Sequence, residues 1–189
     1  MNYKTIYLLV CLLFAAAISY AQKFTIGIVQ DTLVTPVNGE VLIAKKPFVI
    51  EVTLDGIEGV YLYASFKDRI FRLNSTDTIP GLADLPGMAM AEESFNKDKE
   101  LIISDDGWAY WFYDPQQDWH RFDKEITQID RKVIGRKTIQ QFYFAAKEKA
   151  QKVKDVAAPL YLFFVSATLG ENYHLDKEIQ RFKLKINWQ

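Results

Sequence analysis

The residues of this sequence that are most able to do chemistry lie in one short stretch. Positions 108–122 hold seven aromatic residues and one histidine, namely Trp108, Tyr110, Trp111, Phe112, Tyr113, Trp119, His120 and Phe122. Tryptophan and tyrosine rings anchor protein interfaces, frequently beside an arginine, and Arg121 adjoins His120. An exposed indole can also stack on a sugar ring. The stretch therefore indicates a binding surface, for a protein or for a glycan.

Residues 107–114 have the length and the flanking turn residues of a single strand, so their side chains alternate between two faces. We expect one row to fill the space between two sheets: Trp108, Tyr110 and Phe112. The other row has less obvious cover. It is predicted to form an exposed aromatic patch with the residue that follows the strand: Trp111, Tyr113 and Trp119.

His120 lies between Asp118 and Asp123, a pattern that could orient a general base. No serine is close to it in sequence, and the one cysteine, Cys11, lies in the N-terminal segment. The chain has no nucleophile elbow, no phosphate-binding glycine loop and no zinc-binding His-Glu-x-x-His helix. We therefore expect a surface or interface histidine, a protein that is not an enzyme, and no cofactor.

Metal binding is weakly indicated. The aspartates at 105, 106, 114 and 118 could bring carboxylates to one loop end, and calcium prefers such oxygen ligands. Their spacing does not match the EF-hand pattern, and Asp-Gly and Asp-Pro pairs are ordinary turn residues. We expect no metal. Nucleic acid is not expected as a partner either, because the formal net charge of −1 provides no basic field.

The N-terminal segment has the pattern of an export signal. Lys4 precedes an apolar run over residues 5–18, and Ser19-Tyr20-Ala21 fits the small-x-small cleavage rule. The run is too short to span a bilayer comfortably. Residues 1–21 are thus predicted to be a cleaved signal peptide, which leaves no membrane span. The mature protein, 22–189, would be periplasmic or extracellular, and it resembles small exported proteins of Gram-negative bacteria in general character.

The mature chain has the pattern of a mainly β protein. Alternating apolar residues predict strands at 23–30, 40–44, 47–54, 59–66, 101–104, 107–114 and 178–188. The nearly continuous apolar run 160–169 predicts a strand that is buried on both faces at the centre of a sheet. Asn38-Gly39 and Asp55-Gly56 are hairpin-type turns, and residues 101–104 are predicted to form a hairpin with the aromatic strand. These elements favour one domain, an antiparallel two-sheet sandwich of immunoglobulin-like type. An up-and-down barrel is the alternative.

One short helix is predicted near residues 138–153. Five apolar residues recur there at helical spacing: Ile139, Phe142, Ala146, Ala150 and Val153. The residues around 145–152 are also good helix formers. The first part, 138–144, would equally suit a strand.

A long loop without a regular pattern is predicted at 74–100. Loops of this length in a compact domain are frequently functional, although this one could simply pack down on the surface. With the aromatic patch it predicts a binding set of Trp111, Tyr113, Trp119, His120, Arg121, Met88 and Met90. We therefore expect an exported, non-enzymatic protein-binding domain, such as an immunity, inhibitor or accessory protein. The alternative is a carbohydrate-binding module that uses the same aromatic residues.

Overall fold

The computed structural model describes residues 22–72, 99–103, 109–114, 119–120, 122–123, 126–169 and 175–189. This part of the chain consists of strands and three single turns of 3-10 helix, η1 (Ile70–Arg72), η2 (Ala145–Lys147) and η3 (Val153–Asp155). The strands are β1 Lys23–Gln30, β2 Thr32–Val34, β3 Glu40–Ile43, β4 Phe48–Asp55, β5 Gly59–Ser65, β6 Glu100–Ile103, β7 Ala109–Asp114, β8 Trp119–His120, β9 Thr127–Ile129, β10 Lys132–Ile139, β11 Gln141–Phe144, β12 Lys149–Lys152, β13 Leu160–Leu169 and β14 Leu175–Trp188.

The described strands form three sheets. The first has the order β2-β1-β4-β10-β9, the second β3-β14-β13-β5-β7-β8, and the third, which is smaller, β12-β11-β6. Two pairs are parallel, β3 with β14 and β6 with β11, and the other pairs are antiparallel. The predicted mainly β sandwich is confirmed. The immunoglobulin-like assignment is not confirmed.

The core lies between the two larger sheets. Phe48, Ile50, Val52 and Leu54 alternate along β4 and are buried, as a strand with one face on the core requires. Aromatic rings of the two sheets meet in this core. Between ring centroids, Phe24 of β1 lies 6.4 Å from Phe164 of β13, and Phe48 of β4 lies 6.0 Å from Trp188 of β14. Burial of this apolar surface is the main force that holds the sheets together.

The second sheet is buried on both faces at its centre, as the apolar run 160–169 predicts. All seven residues of β5 are buried, and so are Phe163 and Val165 of β13. Part of the outer cover comes from η1. Phe71 packs edge-on against Tyr161 with ring centroids 5.1 Å apart, and its carbonyl oxygen accepts a hydrogen bond from Lys183 Nζ at 3.0 Å.

The predicted strands form where alternation is strong, but three of the predicted pairings are wrong. The chain crosses between sheets at Gly56, where φ is 71°, so β4 and β5 do not pair with each other. Asn38 and Gly39 do make a tight turn with positive φ, yet β3 leaves it to run along β14. The segment 101–104 begins as β6, which pairs with β11 and not with the aromatic strand. Turn residues bend the chain, but burial of both faces decides which sheet receives the next strand.

The predicted helix near 138–153 is also wrong. This segment contains the end of β10, then β11 and β12 joined by η2, and finally η3. Glu148 has a φ of 47°, which closes the turn between β11 and β12. Phe142 is fully buried while Ala146 and Ala150, on the same supposed helical stripe, are exposed. Pairing of β11 with β6 therefore overrides the local helix propensity.

Candidate functional site

The predicted aromatic patch lies at one edge of the second sheet. β7 pairs with β5 so that Trp111 is opposite Val60, and it pairs with β8 so that Tyr113 is opposite His120 and Asp114 opposite Trp119. The structure thus places the backbones of Tyr113, Trp119 and His120 next to one another. Arg121, Met88 and Met90 lie outside the described residues, as does the predicted loop from residue 74 to residue 98.

This structure does not test the predictions that the protein is not an enzyme and that it binds no metal. Among the described residues, no group of three or more histidine, cysteine, aspartate or glutamate side chains could hold a metal ion. Asp105, Asp106 and Asp118 lie outside these residues. In the same part of the chain, no helix has the length and apolar character needed to cross a membrane.

The described residues contain a different candidate site, which we call the lysine cleft. It is an open cleft of about 710 Å³ beside β12, lined by Phe144, Lys147, Lys149, Ala150, Gln151, Lys152, Lys154 and Asp155. Three consecutive short elements supply these residues: η2, β12 and η3. The tight turn at Glu148 brings the end of β11 close to the start of β12, where Phe144 is paired with Lys149.

The lining of the lysine cleft is strongly cationic. Four lysines and one aspartate give it a formal charge of +3, and all four ammonium-bearing side chains are exposed. In the described part of the chain, none of these four lysines forms an ion pair with a carboxylate. The ion pairs found there involve other residues. Like charges that share one concave surface raise the local positive potential and attract anions.

Phe144, which lines the cleft, is held in place by packing against other aromatic rings. Phe144 stacks on Phe66 with ring centroids 5.8 Å apart, and Phe66 meets the buried ring of Phe142 edge-on at 5.2 Å. The Lys147 ammonium lies 5.8 Å from the centroid of the Phe144 ring, within the range of a cation–π contact. At least one lysine of the cleft therefore lies against an aromatic ring that is itself fixed to the core.

The far end of the cleft is anchored by η3. Val153 is buried, and its backbone N–H donates to the carbonyl oxygen of Gln140 at 3.2 Å. Gln151 Nε2 donates to the carbonyl oxygen of Asp155 at 2.8 Å, which closes the turn. This arrangement fixes the backbone on both sides of Lys152 while the lysine side chains stay in solvent.

Sequence reasoning missed the lysine cleft because it assigned this segment to a helix. A helix would distribute Lys147, Lys149, Lys152 and Lys154 around its circumference at 100° per residue. A short strand between two tight turns gathers them instead. The available signal was the presence of four lysines within residues 147–154, since lysines are typical of edge strands.

Comparison with known proteins gives no family for this chain. A scan against protein-family models found no match, and searches of curated proteins and of solved structures found none either.

Proposed function

We propose that this chain is an exported, non-enzymatic protein-binding domain that holds an acidic surface of its partner in the lysine cleft. The observation that carries the proposal is the set of four exposed lysines around one open cleft, without an ion-pair partner among the described residues. An anionic partner would supply the missing counter-charge and would be steered toward the cleft from a distance.

The proposal is specific to one place on the surface. The whole chain is nearly neutral, with a formal net charge of −1, so no general attraction to anions is expected. The charge of +3 belongs to the lining of a single cleft. The cleft is concave, and the Phe144 ring in its lining is held in place by Phe66. Both features add apolar contact to the charge attraction, so they favour a macromolecule of complementary shape over free ions.

Export and the partner class rest on the sequence. The apolar run over residues 5–18 followed by Ser19-Tyr20-Ala21 supports a cleaved signal, hence a periplasmic or extracellular protein. An immunity, inhibitor or accessory protein fits this description. The predicted patch of Trp111, Tyr113 and Trp119 is proposed as a second contact, and the same residues support the alternative of a carbohydrate-binding module.

The test compares variants in one capture experiment. Tagged mature chain, residues 22–189, is incubated with extract of its own cells, and bound proteins are identified by mass spectrometry. The test variant is Lys149→Glu/Lys152→Glu, which reverses two charges in the cleft. The matched control is Lys45→Glu/Lys177→Glu, which reverses two exposed lysines outside the cleft. Circular dichroism and unfolding curves check that all three fold alike.

We expect one stoichiometric protein partner with the wild type and the control, and loss of that partner with the double variant. Opposite charges at the edge of an interface are worth about 1 kcal/mol each, so two reversals should weaken binding by at least about tenfold. Equal capture by the double variant would contradict the proposal. No captured protein, together with retention on an insoluble polysaccharide, would favour the carbohydrate-binding alternative.

A further inference from the structure

The lysine cleft lies along the open edge of a sheet. The third sheet has the order β12-β11-β6, and no other described strand pairs with the outer side of β12. Side chains alternate along β12, so Lys149 and Gln151 belong to one face and Ala150 and Lys152 to the other. All four line the same cleft. A cleft lined from both faces of a strand must follow the edge of that strand.

The hydrogen-bonding pattern shows which backbone groups of β12 face this edge. Directly after β12, Val153 N–H donates to the Gln140 carbonyl oxygen at 3.2 Å, while Gln140 N–H donates to the Lys99 carbonyl oxygen at 2.9 Å. The Val153 N–H thus points to the β11 side, and backbone groups of successive strand residues point alternately to the two sides. In the register of β11 with β12, the outward positions are therefore Ala150, opposite Tyr143, and Lys152, opposite Gln141.

The pairing of β11 with β6 agrees with this alternation. Gln141 N–H approaches the Lys99 carbonyl oxygen at 3.4 Å, on the side of β6. Backbone groups of Gln141 that face β6 cannot also face Lys152 across the other edge. The N–H and C=O groups of Ala150 and Lys152 consequently point away from β11, and both residues are exposed and line the cleft.

We propose that the partner enters the lysine cleft as an acidic extended segment that pairs with β12 and adds a fourth strand to the third sheet. This inference rests on the proposed function and names the class of its ligand. An extended peptide is the one anionic ligand that uses both features together: its backbone satisfies Ala150 and Lys152, and its carboxylates meet the lysines. Phosphate groups or a lipid surface would use the lysines alone.

The chemistry of the segment follows from strand geometry. Carboxylates at alternate positions lie about 7 Å apart on one face of a strand. Lys149 and Lys152 lie on opposite faces of β12, so a paired segment reaches both lysines only if it carries carboxylates on both of its own faces. Ala150, with its small side chain, leaves room for close approach of a second backbone. A segment with acidic residues at both odd and even positions, and β-branched residues between them, therefore fits the cleft best.

The test uses a fluorescent peptide that repeats glutamate, glutamate and valine, and a second peptide of the same sequence that is N-methylated at every amide. Both have the same charge, but only the first can pair as a strand. The test variant is Ala150→Pro, which removes the outward N–H without touching a ladder bond to β11. The matched control, Ala150→Ser, keeps that N–H. Fluorescence anisotropy gives each dissociation constant, and vesicles of phosphatidylglycerol serve as the lipid probe.

We expect the wild type and Ala150→Ser to prefer the unmethylated peptide by about tenfold, and Ala150→Pro to lose this preference. Equal binding of both peptides to the wild type, or unchanged binding to Ala150→Pro, would overturn strand pairing and leave the proposed function standing. Binding to vesicles but to neither peptide would also overturn it. The proposed function itself would fail if Lys149→Glu/Lys152→Glu bound the peptides as the wild type does.

Discussion

Gly135 shows how one backbone position can be fixed by a neighbouring ring. It lies in β10 opposite Val52, and a Cβ atom placed on it would collide with the ring of Phe122. Phe122 is buried and cannot move away easily, because Asp123 beside it holds β10: its Oδ2 accepts from the Thr138 N–H at 3.0 Å. This contact requires glycine for space and not for backbone conformation.

Gly135→Ala should therefore destabilise the fold by about 1–3 kcal/mol through overpacking. Urea unfolding followed by tryptophan fluorescence measures the change. The double variant Gly135→Ala/Phe122→Leu should recover part of the loss, since the smaller side chain makes room. A Gly135→Ala protein as stable as the wild type would show that the ring is free to shift.

Titration of the Tyr61 side chain should change the free energy of unfolding at high pH. Its side chain is buried in the second sheet, and desolvation raises the pKa of the phenol to about 12, from an ordinary value of 10.0. Because the folded-state pKa is the higher one, the contribution to stability is complete below about pH 10 and is lost as the pH rises toward 12.

Tyr61→Phe should accordingly lose less stability than the wild type between about pH 9 and about pH 12. The measurement is urea unfolding of both proteins across this range. Taking the difference between the two proteins removes every effect of pH that they share. Parallel stability curves would contradict a raised pKa at this position.

At the scale of elements, a side chain from one sheet completes an edge of the other. β2 pairs only with the last three residues of β1, from Ile28 to Gln30. Near the start of β1, Gln180 of β14 takes the place of a strand: its Oε1 accepts from the Phe24 N–H at 2.8 Å, and its Nε2 donates to the Phe24 carbonyl oxygen at 3.1 Å. The side-chain amide thus links the two large sheets.

Gln180→Ala should cost about 1–3 kcal/mol, because it leaves the backbone N–H and C=O of the buried Phe24 without these partners. Thermal and urea unfolding measure the loss. Gln180→Glu is the informative companion, since a carboxylate accepts from the N–H but cannot donate to the carbonyl. It should be intermediate. An unchanged Gln180→Ala protein would mean that water replaces the amide.

Some of these elements can be predicted from the sequence, because their burial pattern is local. Others cannot, because they depend on contacts between distant residues. Strong alternation in β4 and β14 and the apolar run of β13 follow directly from burial of one face or two, and these strands are found where predicted. Residues 138–153 mislead because alanine satisfies a helical stripe without contributing much burial. Sheet partners such as β5 with β13 depend on contacts far apart in sequence, which no local pattern records.

The aromatic strand was predicted correctly as a strand, and its backbone pairs with β5 and with β8. The lysine cleft, in contrast, was missed because its lysines come together only when the segment folds as a strand with two turns.

At the scale of the whole molecule, charge is distributed unevenly on a nearly neutral chain. Ion pairs such as Arg136 with Glu51 at 2.8 Å and Arg181 with Glu178 at 2.6 Å balance charges on the large sheets. The small third sheet carries the four lysines of the cleft, which have no ion pair among the described residues, along an edge that no described strand covers. Lysines on an edge strand also discourage self-association, so the same residues can protect the free protein and receive its partner.

The measurement that tests the central claim most directly is the dissociation constant of the captured partner at low and at high salt, for the wild type and for Lys149→Glu/Lys152→Glu. If the lysine cleft receives an acidic surface, wild-type binding weakens steeply as salt screens the charges. The double variant then binds at least about tenfold more weakly at low salt and depends less on salt. Identical constants and identical salt dependence for the two proteins would contradict the account.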